Sequence, residues 1–168
     1  MGNTEDETDG RNGRSFSSMR AFRVPVLLFI SALLLYAHTL SFDIVALDDY
    51  TLISENKAEL SSPANIGHLF RSDVFLSGRT QYYRPLLNVS LMLDTLAHGP
   101  FFFFFHLTNI IFHAAAASLL YFLLLRLGAG SALSVFMALF YLFHPSLAQA
   151  VAWVPGRNDS MLAVFTLA

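Results

Sequence analysis

From Phe101 to Leu125 the chain reads FFFFFHLTNIIFHAAAASLLYFLLL, 25 consecutive uncharged residues stopped by Arg126. At 1.5 Å per helical residue the stretch extends about 37 Å, enough to cross a hydrocarbon layer of about 30 Å. It sets the fold class, because within lipid each backbone N–H and C=O must be satisfied inside the segment or by neighbouring protein. Upstream, Val24 to Phe42 is uncharged over 19 residues. It ends Tyr36-Ala37-His38-Thr39-Leu40, without the Ala-x-Ala site of a cleaved signal peptide, and reads as a retained first helix. Downstream, Leu127 to Gly156 is uncharged for 30 residues and broken at His144-Pro145. This predicts a third span over about Ser131 to Phe143, with a polar-aromatic re-entry after the proline. Asp159 to Ala168 opens a fourth apolar segment, too short as it stands to span. The expectation is an all-α integral membrane protein: a polytopic helical bundle with about four transmembrane helices visible, continuing beyond Ala168.

Composition agrees. Of 168 residues, 55% are hydrophobic and 13% charged, against about 25% charged in soluble domains. The net charge of −2 gives no electrostatic footprint for nucleic acid. The absence of cysteine excludes disulfides, thiolate metal sites and cysteine nucleophiles. No Gly-rich phosphate loop, Ser-His-Asp arrangement or internal repeat is visible.

Between the first two spans the character changes. Asp43 to Arg84 holds six acids and four bases, with turn signals at Ser61-Ser62-Pro63 and Ser77-Gly78, and reads as a folded loop. Pro85 to His98 has a helical pattern. Leu86, Val89, Leu93 and Leu96 share one stripe, and Arg84, Asn88, Thr95 and His98 another. Carrying Asp94, this helix should lie along the membrane interface. Residues 1–20 form a polar tail expected to be disordered. Residues 21–168 form one transmembrane domain that includes a first extracytoplasmic loop, 43–100. Arg11, Arg14, Arg20 and Arg23 precede the first helix, so the positive-inside rule places the N-terminus in the cytoplasm. Arg126 then returns to that side. The loop, its following helix and Pro145–Asn158 converge on the opposite face.

Four groups of residues could carry chemistry. Asp48 and Asp49 form an acidic pair just beyond the first span, suited to a general base or metal ligand; the competing reading is a helix cap. Tyr83 and Arg84 stand at the start of the interfacial helix, where a guanidinium suits a lipid phosphate and a tyrosine suits interfacial anchoring. His106, Asn109 and His113 share one face of the second span. Helix packing is the competing role for them, and the histidines are roughly 10 Å apart along the axis, too far to share a zinc ion. Finally, His144 precedes a segment ending in Arg157 and Asp159, whose arginine would face the same surface as Arg84, with Asp159 as the alternative cap of the fourth helix. Asn88-Val89-Ser90 and Asn158-Asp159-Ser160 match a glycosylation acceptor pattern but hug the membrane, and are expected to be unused.

Taken together these motifs resemble the GT-C membrane glycosyltransferases. The nearest likeness is to the transmembrane and tetratricopeptide-repeat O-mannosyltransferases, which use dolichyl-phosphate-mannose, and to their bacterial relatives. The residues carrying the resemblance are Leu47-Asp48-Asp49-Tyr50 with Ile53 and Asn56, then Tyr83-Arg84-Pro85-Leu86. Next come Phe105-His106-Leu107-Thr108-Asn109 with His113-Ala114, and Phe143-His144-Pro145 with Ala150-Val151-Ala152-Trp153 and Gly156-Arg157-Asn158-Asp159. The resemblance implies transfer of a mannose-like sugar from a polyprenyl-phosphate-linked donor to a protein or glycan acceptor. The reaction would take place on the periplasmic face of a bacterial inner membrane, or on the lumenal face of an endoplasmic reticulum membrane. It implies a catalytic base at Asp48 or Asp49, with Asp48 favoured, and phosphate contacts from Arg84 and Arg157. Tyr83, His106, Asn109, His113, His144 and Asp159 would support them. Such enzymes have about nine or more spans, so this chain would be an N-terminal part, inactive alone. No cofactor is identified, and a divalent metal at the acidic pair stays open. The alternative is a non-enzymatic polytopic protein, a transporter half or the membrane anchor of an interaction or scaffold protein. A transporter should carry charges at mid-membrane depth.

Overall fold

The computed structural model describes residues 23–43, 48–99 and 101–168. The polar tail with Arg11, Arg14 and Arg20, Leu47 of the acidic motif, and Pro100 lie outside the described residues. All regular structure among the described residues is helical. Two helices are long and apolar enough to cross a membrane: α1 (Arg23–Ser41) and α5 (Phe102–Arg126). A third crossing is available if α6 (Ser131–Phe143) and the segment Pro145–Ala152 form one broken span, bent by 54°. The last helix, α8 (Arg157–Leu167), has 11 residues and covers about 16 Å, roughly half a hydrocarbon layer.

Helix α5 is the central post. Its Ala114, Ala116 and Ala117 are fully buried, and such small side chains let neighbouring backbones approach closely. Against it α1 runs antiparallel: Tyr36 meets His113 edge-on at 5.6 Å, and Phe42 meets His106 at 6.0 Å. Helix α6 is also antiparallel, with Leu142 packed beside Ala114 and Ala138 beside Tyr121. Helix α8 runs parallel, its Arg157 beside Phe105 and its Leu167 in a groove with Leu119 and Leu123. Gly128, at φ +84°, closes α5 in the left-handed region, which favours glycine. Helix α6 stops at Phe143 because Pro145 forces His144 to extended backbone, φ −66° and ψ 121°. That break leaves the carbonyl of Leu142 without its helical partner. It accepts instead from the Tyr36 hydroxyl at 3.2 Å and meets His113 Nε2 at 3.3 Å.

At one end of the bundle sits a second layer. The loop winds through a π-helical turn at Tyr50–Ser54, then α2 (Lys57–Leu60), a 3-10 turn at Pro63–Asn65 and α3 (Ile66–Leu69). These elements pack on α4 (Pro85–His98) around Leu52, Leu60, Leu69, Leu87 and Leu91, and the same core takes in Phe105 of α5 and Val154. Pro85 occupies the first turn of α4, where its missing N–H costs nothing. Leu86, Leu93 and Leu96 of α4 are exposed while Asn88, Asp94 and Thr95 are buried. A water-facing helix would show the reverse. Outward leucines suit an apolar surrounding, and of the inward polar residues Asp94 meets Thr108 on α5 and Arg157 on α8. Asn88, Ser90 and Ser160 are buried, so neither glycosylation pattern is presented.

Candidate functional site

Where the loop layer meets the start of α8 there is a cleft of about 470 Å³, within the roughly 300–1,000 Å³ range of small-molecule sites. Asp48 enters from the segment after α1, and Val74 and Phe75 come from the loop. Tyr82 and Arg84 come from the chain entering α4. The opposite wall is Trp153, Pro155, Gly156 and Asp159. Arg84 lies 5.9 Å from the centre of the Tyr82 ring, a cation–π arrangement that orients the guanidinium. Three of the residues expected on one face, Asp48, Arg84 and Asp159, therefore share a single concavity.

The loop side is held by a carboxylate. Asp73 accepts from the N–H and hydroxyl of both Ser77 and Thr80, at 2.8 to 3.0 Å, and from the Arg79 N–H at 3.1 Å. Burial alone would raise the Asp73 carboxyl. The bonds from Thr80 and Ser77 outweigh it and hold the group well below the usual carboxylate range. Next to it the Val74 N–H donates to the Tyr82 carbonyl at 2.7 Å. The Asn56 amide donates to the carbonyls of Thr51 and Phe75 at 2.8 and 3.0 Å. Tyr83, by donating its hydroxyl to the Phe70 carbonyl at 2.9 Å, ties the approach to α4 onto α3's end.

The opposite wall is held from within. Arg157 is 0% exposed. Its Nη2 meets Asp94 Oδ2 at 2.6 Å and donates to the Phe105 carbonyl at 2.8 Å; Nε donates to Asn109 Oδ1 at 2.7 Å, and Nη1 to Ser90 Oγ at 3.1 Å. Every nitrogen of the guanidinium is engaged. The expected phosphate contact by Arg157 is thus corrected: its side chain points into the protein, away from the surface that Arg84 shares. Asn109, expected as a supporting residue, joins both sides of this arrangement. While its oxygen receives Arg157, its Nδ2 donates to the carbonyl of Val151, in the short helix α7 (Gln149–Ala152), at 3.1 Å and to that of Trp153, just beyond it, at 3.0 Å. Gly156 is required by space. A Cβ there would lie 2.4 Å from the Gln149 carbonyl oxygen.

The remaining sequence candidates separate. Asp49 is 1% exposed while Asp48 is half-buried and lines the cleft, so one member of the acidic pair faces the concavity. Asp159 is not a cap: α8 begins at Arg157, which leaves Asp159 exposed in its first turn, favourable toward the helix dipole. His113 serves packing, stacked on Tyr141 at 5.0 Å. His106 is buried against Phe42. His144 caps the turn Pro145–Leu147, accepting from the Ser146 N–H at 3.3 Å, and stands apart from the cleft.

Sequence reasoning missed Asp73, Asp94, Ser90 and Thr108, whose hydroxyl donates to Asp94 at 2.8 Å. Asp94 carried a partial signal: the lone acid of a helix packed beside a bundle needs a cation, but nothing local singled out Arg157 as that cation. Among the described residues no three His, Cys, Asp or Glu side chains group to hold a metal ion. Asp48 and Asp159 alone make a poor donor set, so no chemistry is assigned to a metal. Compared with known proteins, the chain matches no family model, no curated protein and no solved structure.

Proposed function

We propose that this chain forms the active face of a membrane glycosyltransferase. It would transfer a mannose-like sugar from a polyprenyl-phosphate donor to a hydroxyl of a protein or glycan, on the lumenal or periplasmic side. The observation that supports this is the meeting of Asp48, Arg84 and Asp159 in one cleft, although they come from three separate parts of the sequence. In the reaction the acceptor oxygen bonds to the anomeric carbon as the bond from that carbon to the phosphate oxygen breaks. Asp48 takes the acceptor proton. Arg84 stabilises the charge that gathers on the departing phosphate. The exposed leucines of α4 would lie in the leaflet and bring the prenyl chain to the cleft mouth. With three arginines before α1 and a fourth, Arg23, at its first position, the N-terminus would be cytoplasmic and the cleft extracytoplasmic.

A transporter half would carry its charges at mid-membrane depth. The buried Asp94–Arg157 pair instead neighbours Phe105 and Asn109, within the first ~10 Å of α5, which favours chemistry at an interface. The test is Asp48→Asn, assayed for sugar transfer in native membranes. Transfer should fall about 10²- to 10⁴-fold at unchanged expression, while Asp49→Asn acts mainly on folding. Full activity in both variants would remove the mechanism.

A further inference from the structure

We infer that the cleft divides its labour, with Trp153 and Asp159 reading the sugar ring of the donor and Arg84 reading its phosphate. The inference rests on the transferase reading above. The backbone of the wall that carries Trp153 is held from several sides. Its carbonyl accepts from Asn109 Nδ2 at 3.0 Å and from the Gly156 N–H at 3.0 Å. Val154 beside it is buried in the core, and Arg157 just beyond is locked to Asp94. A ligand meeting this wall therefore orders little of it on binding, which is the condition for discrimination at low entropic cost.

The chemistry of the wall selects what it can hold. A pyranose presents apolar C–H faces ringed by hydroxyls. An indole offers a flat apolar face with an N–H at its edge, and a carboxylate accepts hydroxyl protons in charge-assisted bonds. Trp153 and Asp159 supply one of each. A bare phosphate gains nothing from either, and the Asp159 charge repels it. Arg84, lining the cleft from the α4 side, has the opposite preference. The indole and carboxylate thus act as specificity-determining groups, and a sugar-phosphate is the ligand that satisfies the whole cleft.

Trp153 is the only tryptophan in the chain, so its emission reports on the cleft without background. The purified chain in phospholipid vesicles is titrated with short prenyl phosphates bearing mannose, glucose, N-acetylglucosamine or no sugar. Emission is recorded alongside calorimetric affinity. At least one sugar-bearing lipid should change Trp153 emission and bind more tightly than bare prenyl phosphate. Asp159→Asn should weaken that lipid about ten- to a hundred-fold without weakening the bare phosphate, whereas Arg84→Ala should weaken both. The inference is overturned if bare prenyl phosphate matches every sugar-bearing lipid, or if Asp159→Asn weakens all of them equally. The transferase reading survives either result, since Arg84 still holds phosphate. Failure of every prenyl phosphate to bind overturns both.

Discussion

The protein uses the same pair of chemistries twice, a few ångströms of backbone apart. In the lock, Arg157 and Asp94 are buried and every guanidinium nitrogen has a protein partner. In the cleft, Arg84, Asp48 and Asp159 stand around open space. Residue type does not distinguish them; desolvation and the number of partners do. Burial pushes the Asp94 carboxyl above its ordinary value, and the Arg157 guanidinium and Thr108 hydroxyl pull it back. A charge so enclosed has no capacity left for a ligand. The two groupings meet on one segment, where Arg157 turns inward while Gly156 and Asp159 turn toward the cleft. The lock thereby sets the shape of the site.

Breaking the lock should have the largest effect. Asp94→Leu leaves Arg157 buried without its counter-ion and should cost about 3–5 kcal/mol of stability, measured by denaturation in detergent micelles. Arg157→Met should cost a similar amount by stranding Asp94. The double variant should recover most of the loss, because two apolar side chains in place of a buried pair are often close to neutral. A double variant as unstable as either single one would show that the pair does more than cancel its own charges. Next in size is Gly156→Ala. The new methyl meets backbone oxygen, not a flexible side chain, so the wall must move, at about 1–3 kcal/mol. Trp153 emission should shift in this variant without any ligand, and an unchanged spectrum would mean that the wall is not held by that approach.

The lock and the cleft differed in how far the sequence disclosed them. Helix boundaries such as Pro85–His98 and Ser131–Phe143 were legible, because proline placement and apolar runs act locally. The cleft was legible in part: Asp48, Arg84 and Asp159 stood out as charges at the ends of apolar segments. The lock was not. Arg157 has the same local surroundings, loop residues and a helix start, whether it faces in or out. Only the packing of α4 against α5 and α8 decides, and that packing places Asp94, 63 residues upstream, under its guanidinium. Asp73 was hidden for the opposite reason. Its partners lie within seven residues, but its loop forms only when Leu76 and Gly78 adopt positive φ, and no pattern announces a leucine there.

The Asp73 loop gives a smaller, pH-dependent test of the cleft's other wall. Its carboxyl is held below the unfolded value of 3.8, so its contribution is complete above that value and is lost as pH falls below it. Protection of the Thr80 amide from hydrogen exchange should weaken on acidification through that window. In Asp73→Asn it should already be weak at neutral pH, with about 1–2 kcal/mol lost locally. Protection that persists in the variant would mean that backbone geometry alone shapes the loop.

The smallest expected effect on stability is also the most discriminating. Arg84 and Asp159 are exposed and Asp48 is half-buried, and open positions of this kind seldom move stability by more than about 0.5 kcal/mol. Arg84→Ala and Asp48→Asn should therefore unfold with the wild-type midpoint in the micelles where Asp94→Leu fails. If the cleft is the site, these same variants should carry the largest losses of donor binding and transfer. Arg84→Ala should lower both, since its phosphate contact exists before and during reaction. Asp48→Asn should lower turnover with little change in donor affinity, since a base acts only as the acceptor proton moves. Stability and function would then rank the two arginines in opposite orders. Should Arg84→Ala prove as destabilising as Asp94→Leu, Arg84 is a second lock, and the cleft loses the one cation among its described lining residues.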